Sequence, residues 1–128
     1  MDKLLYVILG GAIGSGFRYG VSVWMQSFSI SFPFAILTVN VTGSFFIGLC
    51  GAITEIFHVP LYVKLFLFTG IFGGFTTFST YTLDTLLIIK AGDYKMALIN
   101  ILANNILGII AVFCGFFIGK YGINLIKA

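Results

Sequence analysis

The chain has 128 residues, 59% of them hydrophobic and only 9% charged, with a mean hydropathy of +1.11. Soluble domains carry about 25% charged residues, so this composition excludes an ordinary soluble fold and points to an integral membrane protein with one domain, residues 1–128. The net charge of +3 comes from seven basic residues that stand singly along the chain, which excludes a nucleic-acid-binding footprint.

The first predicted span runs from about Leu4 to Met25 and contains Arg18. Lys3 ahead of an apolar stretch has the look of a signal peptide. No clear small-residue cleavage site follows and further spans do, so the segment reads as a retained helix. A polar turn from Gln26 to Ser31 precedes Pro33, and the second span runs from about Phe34 to Thr54. Glu55, His58, Pro60 and Lys64 mark the next connection, where His58 is solvated; Glu55 and, later, Asp84 lie near span ends, which favours interfacial or structural roles.

The third span, about Tyr62 to Ile89, has an uncharged core from Leu65 to Leu83. Its middle holds Gly73-Gly74 and Thr76-Thr77, poor material for a continuous helix, which predicts a break near Gly73. Backbone groups freed by a break at membrane depth are tolerated only where protein or a polar cavity meets them, and broken helices of this kind build ion sites. Lys90, Gly92, Asp93 and Lys95 form a short turn before the fourth span, about Met96 to Gly119, and a tail bearing Lys120 and Lys127.

Glycines recur on the helix faces: Gly10 and Gly14, then Gly43, Gly48 and Gly51, then Gly108, Gly115 and Gly119. Small residues let membrane helices approach closely. Cys50 and Cys114 lie in apolar surroundings with no metal or redox spacing and read as small packing residues. With four spans the termini share a side that carries Lys3, Lys64, Lys120 and Lys127, against Lys90 and Lys95, with Arg18 near that end. So weak a bias under the positive-inside rule allows insertion in both orientations, and hence an antiparallel dimer.

Polar groups at depth are the functional candidates. Asn40 either makes an interhelical hydrogen bond or donates to a passing anion. Its match to a glycosylation acceptor, Asn40-Val41-Thr42, sits inside an apolar span and is accidental. Asn100 and Asn104 are four apart and share a helix face, either as packing residues or as a polar track; Asn105 adds to the load. Phe78 and Tyr81 share a face beyond the break, with Thr85 about a turn further on. They either pack or turn electropositive ring edges towards an anion. Arg18 either snorkels to the interface or draws anions to a vestibule. The chain offers no catalytic triad, zinc spacing or phosphate-binding loop, and it has one His and four acidic residues. That inventory argues against an enzyme.

Four stretches stand in a distinctive order across these spans: Gly10-Gly11-Ala12-Ile13-Gly14-Ser15-Gly16-Phe17-Arg18-Tyr19, Val39-Asn40-Val41-Thr42-Gly43, Thr69 to Thr80 with Gly73-Gly74-Phe75-Thr76-Thr77-Phe78, and Gly92-Asp93-Tyr94. Through them the chain resembles the Fluc (CrcB) fluoride channel family along essentially its whole length. The resemblance implies an all-α membrane protein of four transmembrane helices with a broken third helix, assembled as an antiparallel, dual-topology homodimer with two pores. It implies passive, fluoride-selective export in the bacterial inner membrane for fluoride resistance. Asn40 matches the family's pore asparagine and Phe78 its first pore phenylalanine; Tyr81 stands where a second phenylalanine is usual. Thr77 and Ser79 fall beside the pore-lining segment, and Asn100 and Asn104 where the fourth helix carries a polar track. Gly73 and Thr76 match positions whose backbone carbonyls, from both subunits, hold a structural Na+. The implied partners are a second copy of the chain, fluoride and the lipid bilayer, with no nucleic acid.

Three rivals remain at this level. A small multidrug exporter needs a carboxylate deep in the first span, and none lies between Lys3 and Glu55. A non-transporting scaffold explains the glycine faces but not the broken span with aligned asparagines. One subunit of a heterodimeric fluoride channel is the third.

Overall fold

The computed structural model describes residues 2–28 and 32–127. Residues 29–31 of the expected polar turn lie outside the described residues, as do the side chains of Ile126 and Lys127. Every regular element among the described residues is helical: α1 (Asp2–Gln26), α2 (Phe34–Ile56), α3 (Leu61–Lys64), a π-helical segment (Leu65–Phe72), α4 (Gly73–Phe75), α5 (Phe78–Lys90) and α6 (Tyr94–Lys127). They form four spans long and apolar enough to cross a membrane, the third being the whole run Leu61–Lys90. Large apolar side chains such as Leu4, Phe17, Leu86 and Phe113 face outwards, as lipid in place of water permits.

The third span is interrupted, but three residues later than expected. Gly73 has helical dihedrals, φ −64° and ψ −35°, and Gly73-Gly74-Phe75 is a helical turn. The chain becomes extended at Thr76 (φ −76°, ψ 156°) and Thr77 (φ −148°, ψ 118°). β-Branched residues accept that backbone readily. Thr77 then caps α5, its Oγ1 accepting the Thr80 N–H at 3.2 Å, the usual bond of a helix N-cap. The threonines, not the glycines, end the helix.

The glycines serve close packing of α1 against the first half of the third span. A Cβ on Gly70 would lie 2.8 Å from the Gly10 Cα, and one on Gly74 would lie 2.6 Å from the Gly11 carbonyl oxygen. Gly10 and Gly14 in turn press on Phe66 and Ile71. Backbones meet here with no side chain between them. The segment Leu65–Phe72 widens to i→i+5 geometry over this contact, a feature that residue types do not announce. The same device joins α2 to α6, where Gly48 faces Val112 and Gly115 faces Phe45.

The remaining joints follow their local chemistry. Pro33 and Pro60 precede α2 and α3. After α5, Gly92 takes φ +84° and the Gly92 and Asp93 amides return to Ile89 (2.9 Å) and Ile88 (3.2 Å), a Schellman closure that needs a residue free of Cβ strain. Asp93 Oδ1 then accepts the Met96 N–H at 2.9 Å and starts α6. This helix runs through Gly119, where the fourth span was expected to end. Its 34 residues reach about 50 Å, longer than a hydrocarbon core of about 30 Å. No proline stops it, and Lys120 Nζ lies 5.8 Å from the Phe116 ring centroid.

Candidate functional site

The helix break creates unsatisfied backbone groups at the level of Thr77, and one side chain answers them. The Thr77 N–H donates to Asn40 Oδ1 at 2.9 Å, and Asn40 Nδ2 donates to the Thr77 carbonyl at 3.2 Å. The same Nδ2 donates to Asn104 Oδ1 at 2.9 Å, so both of its N–H groups are used. Asn40 therefore makes the interhelical bond that its position allowed, and the partner is the interruption itself.

From Asn104 the hydrogen bonds run head to tail into the core. Asn104 Nδ2 donates to Asn100 Oδ1 at 3.0 Å, Asn100 Nδ2 to Thr85 Oγ1 at 2.9 Å, and Thr85 Oγ1 to the Tyr81 carbonyl at 2.9 Å. Asn100 is 1% exposed and Asn104 9%. Among the described residues no buried side-chain N or O lacks a partner. A satisfied network of this kind fixes one arrangement.

Against this network lies a groove of about 300 Å³ lined by Asn40, Ser44, Thr77, Phe78, Tyr81 and Asn104, among others. Phe78 and Tyr81 meet edge to face with ring centroids 5.4 Å apart, Tyr81 buried and Phe78 75% exposed. The N-terminus of the 13-residue α5 opens at this point, and its positive end favours an anion nearby. Hydroxyl groups, ring edges and a helix N-terminus, with no full positive charge on the groove's walls, form an environment that can replace an anion's water without trapping it.

The sequence candidates fall into three places. Asn40, Thr77, Phe78, Tyr81 and Asn104 come together at the groove. Asn100 sits behind it, joined to Thr85. Ser79 is exposed on the first turn of α5, its Oγ 3.4 Å from Thr77 Oγ1. Arg18 is half-buried, and its Nη1 reaches the Thr76 carbonyl at 3.5 Å. Two polar groove residues went unnoticed as site candidates, Ser44 and Asn105. Ser44 stands one helical turn from Asn40, spacing that puts both on one face. Asn105 follows Asn104 directly, which gave it no face of its own until the structure placed it beside Tyr81.

The break also alters two carbonyls. In an unbroken helix the Thr77 N–H would close onto Gly73, but it donates to Asn40 instead. The Thr76 carbonyl lies in extended chain, and among the described residues it meets the long Arg18 contact alone. Carbonyls of unwound membrane helices are suitable ligands for Na+, so the donor set fits such an ion. Among the described residues no cluster of His, Cys, Asp or Glu could hold a metal.

Comparison with known proteins supplies an independent line. The family described as "CrcB-like protein, Camphor Resistance (CrcB)" matches residues 5–116. A protein of Parabacteroides distasonis named fluoride-specific ion channel FluC is 57% identical over 128 residues, covering 99% of this chain and all of its own length. Proteins of the same name from Shewanella sp. (strain W3-18-1) and Hydrogenobaculum sp. (strain Y04AAS1) are 42% and 40% identical over 116 residues. Each match covers 90% of this chain, and 94% and 95% of the relative.

Proposed function

The chain belongs to the CrcB family, and we propose from that membership and from the groove at the helix break that it conducts fluoride passively across a membrane. It is a multi-pass membrane protein and a channel, not an enzyme. The observation that carries the reading is the groove where Phe78 and Tyr81 face the Asn40–Asn104 pair beside the N-terminus of α5. Fluoride is small and strongly hydrated, so a pore must offer donors in place of water and release the ion again. The exporter reading fails for want of a carboxylate in α1 beyond Asp2. The scaffold reading leaves the FluC relatives unexplained.

The working unit we propose is an antiparallel homodimer with two pores in the bacterial inner membrane, serving fluoride resistance. Two observations support a second copy. Phe78 is 75% exposed, which leaves the groove without an outer wall that another chain would supply. The Gly73 and Thr76 carbonyls of one chain offer two oxygens, and a two-fold axis would bring four to a structural Na+ that ties the two breaks together. Because this chain carries Asn40, Phe78 and the Gly73–Thr76 segment by itself, a homodimer is favoured over one half of a heterodimer.

The test is fluoride-electrode recording on liposomes containing this chain alone. Fluoride efflux down its gradient, with no dependence on a proton gradient, is expected. Efflux only when a second, different subunit is added would establish the heterodimer instead, and no efflux under either condition would refute the channel.

A further inference from the structure

Asn105 and Tyr81 make a contact whose direction has a consequence. Asn105 Nδ2 donates to the Ile101 carbonyl at 2.8 Å and to Tyr81 Oη at 3.3 Å. A carbonyl accepts only, so the Ile101 bond fixes which end of the Asn105 amide points inwards. That end is the NH2 group, and against it the phenol can only accept. The phenol proton is therefore turned away from Asn105. Among the described residues no protein acceptor takes it. Tyr81 is buried at 7% exposure, and both it and Asn105 line the groove beside Asn40 and Asn104.

The amide donors of Asn40 and Asn104 are already engaged, while the Ser44 hydroxyl lies across the groove on α2. Both N–H groups of Asn40 are used, on Thr77 and Asn104. Both of Asn104 are used on Asn100, at its carbonyl and its Oδ1. The Tyr81 hydroxyl is thus a buried donor with an unspent proton in a groove whose amides are occupied.

We propose that the Tyr81 O–H is a fluoride ligand of this channel and that Asn105 is its positioning residue. By occupying the acceptor side of the phenol, Asn105 commits the proton to the anion. The proposal rests on the fluoride-channel reading above. It makes the site of this chain a ring edge from Phe78 plus a hydroxyl from Tyr81, in place of two rings. A hydrogen bond to a charged partner is among the stronger ones, and a phenol gives it up without the trapping that a full cation would cause.

The experiment is a double-mutant cycle in proteoliposomes with Tyr81→Phe, Asn105→Leu and the pair, read as fluoride efflux at limiting fluoride. Tyr81→Phe keeps the ring and removes only the hydroxyl, so it is expected to slow efflux by about tenfold. Asn105→Leu should slow it by a similar factor in the parent but have little further effect in Tyr81→Phe. An Asn105 of merely structural importance would slow both backgrounds equally, and that result overturns its positioning role. Tyr81→Phe at the parent's rate overturns the ligand. Gel filtration of each variant in detergent separates these outcomes from misfolding; a variant that does not elute as the parent does is replaced by Tyr81→4-fluorophenylalanine, which also lacks the proton and is expected to be slow. The parent chain is measured first: if it passes no fluoride, the channel reading fails, whereas a conducting parent with a fast Tyr81→Phe sinks the ligand proposal alone.

Discussion

Asn40 binds the Thr77 backbone at both of its polar groups, accepting from the N–H at 2.9 Å and donating to the carbonyl at 3.2 Å. One amide side chain thus stands in for the helical partners that the interruption removes, at a depth where water cannot. The residue that resembles a pore asparagine is also the brace of the break. The two roles are compatible because the brace puts Thr77, Phe78 and Asn104 around one groove.

Asn40→Asp separates shape from donation. The carboxylate keeps an acceptor for the Thr77 N–H but faces the Thr77 carbonyl and Asn104 Oδ1 with oxygen instead of N–H. Fluoride efflux is expected to vanish while the protein still elutes as the parent, since the fold keeps one of the three bonds. Asn40→Ala loses all three and should cost about 1–3 kcal/mol of stability, because a buried N–H and C=O are left bare. Thermal unfolding in detergent and liposome efflux read the two effects, and undiminished efflux from Asn40→Asp would count against the pore assignment.

The buried row behind the groove should behave as one unit. Thr85→Val and Asn100→Leu each cut the same bond, 2.9 Å between Asn100 Nδ2 and Thr85 Oγ1. Interhelical hydrogen bonds in membranes are worth about 0.6 kcal/mol on average and up to about 1.7. The double variant is therefore expected to be less destabilised than the sum of the singles by about that amount, measured as unfolding in detergent. Strict additivity would show that the bond contributes nothing.

Glycine positions give a contrast within one helix. A methyl at Gly14 would collide with the Ile71 carbonyl and come 2.9 Å from the Phe75 backbone nitrogen, whereas a methyl at Gly11 meets nothing within 4 Å. Gly14→Ala is expected to separate α1 from the third span and prevent recovery of folded protein. Gly11→Ala should express and conduct as the parent does, with a stability change inside about 0.5 kcal/mol. Equal yields of the two by fluorescence-detected gel filtration would disprove the backbone contact.

Much of this was legible in the sequence, and the misses have physical causes. The four spans follow from apolar length alone. The break was visible in residue types, but glycine's helix weakness pointed to Gly73, whereas tertiary contact with α1 holds Gly73-Gly74 helical and leaves the interruption to Thr76-Thr77. The far end of α6 was misplaced because Gly119 is a packing residue against Ala52 and Leu49, not a stop. The π-helical geometry of Leu65–Phe72 coincides with the glycine contacts to α1 and leaves no local trace. Asn105 escaped because its significance depends on a partner 24 residues away.

The Na+ reading predicts stability that depends on the ion. The Gly73 carbonyl gives up its helical N–H to Asn40, and the Thr76 carbonyl sits in extended chain beside Arg18. If two copies bring these oxygens together around Na+, the ion binds only the assembled protein. A ligand at about a hundredfold over its dissociation constant adds about 2.7 kcal/mol. Purified protein should therefore unfold at higher temperature in NaCl than in choline chloride of equal ionic strength. Arg18 places its Nη1 3.5 Å from the same Thr76 carbonyl, so its positive charge opposes a cation there. Arg18→Gln is accordingly expected to strengthen the Na+ response and, if Arg18 draws anions to a vestibule, to slow fluoride entry at low salt. Identical melting in the two salts, for parent and Arg18→Gln alike, would leave the carbonyls without an ion and assign the Thr76 contact to Arg18 alone.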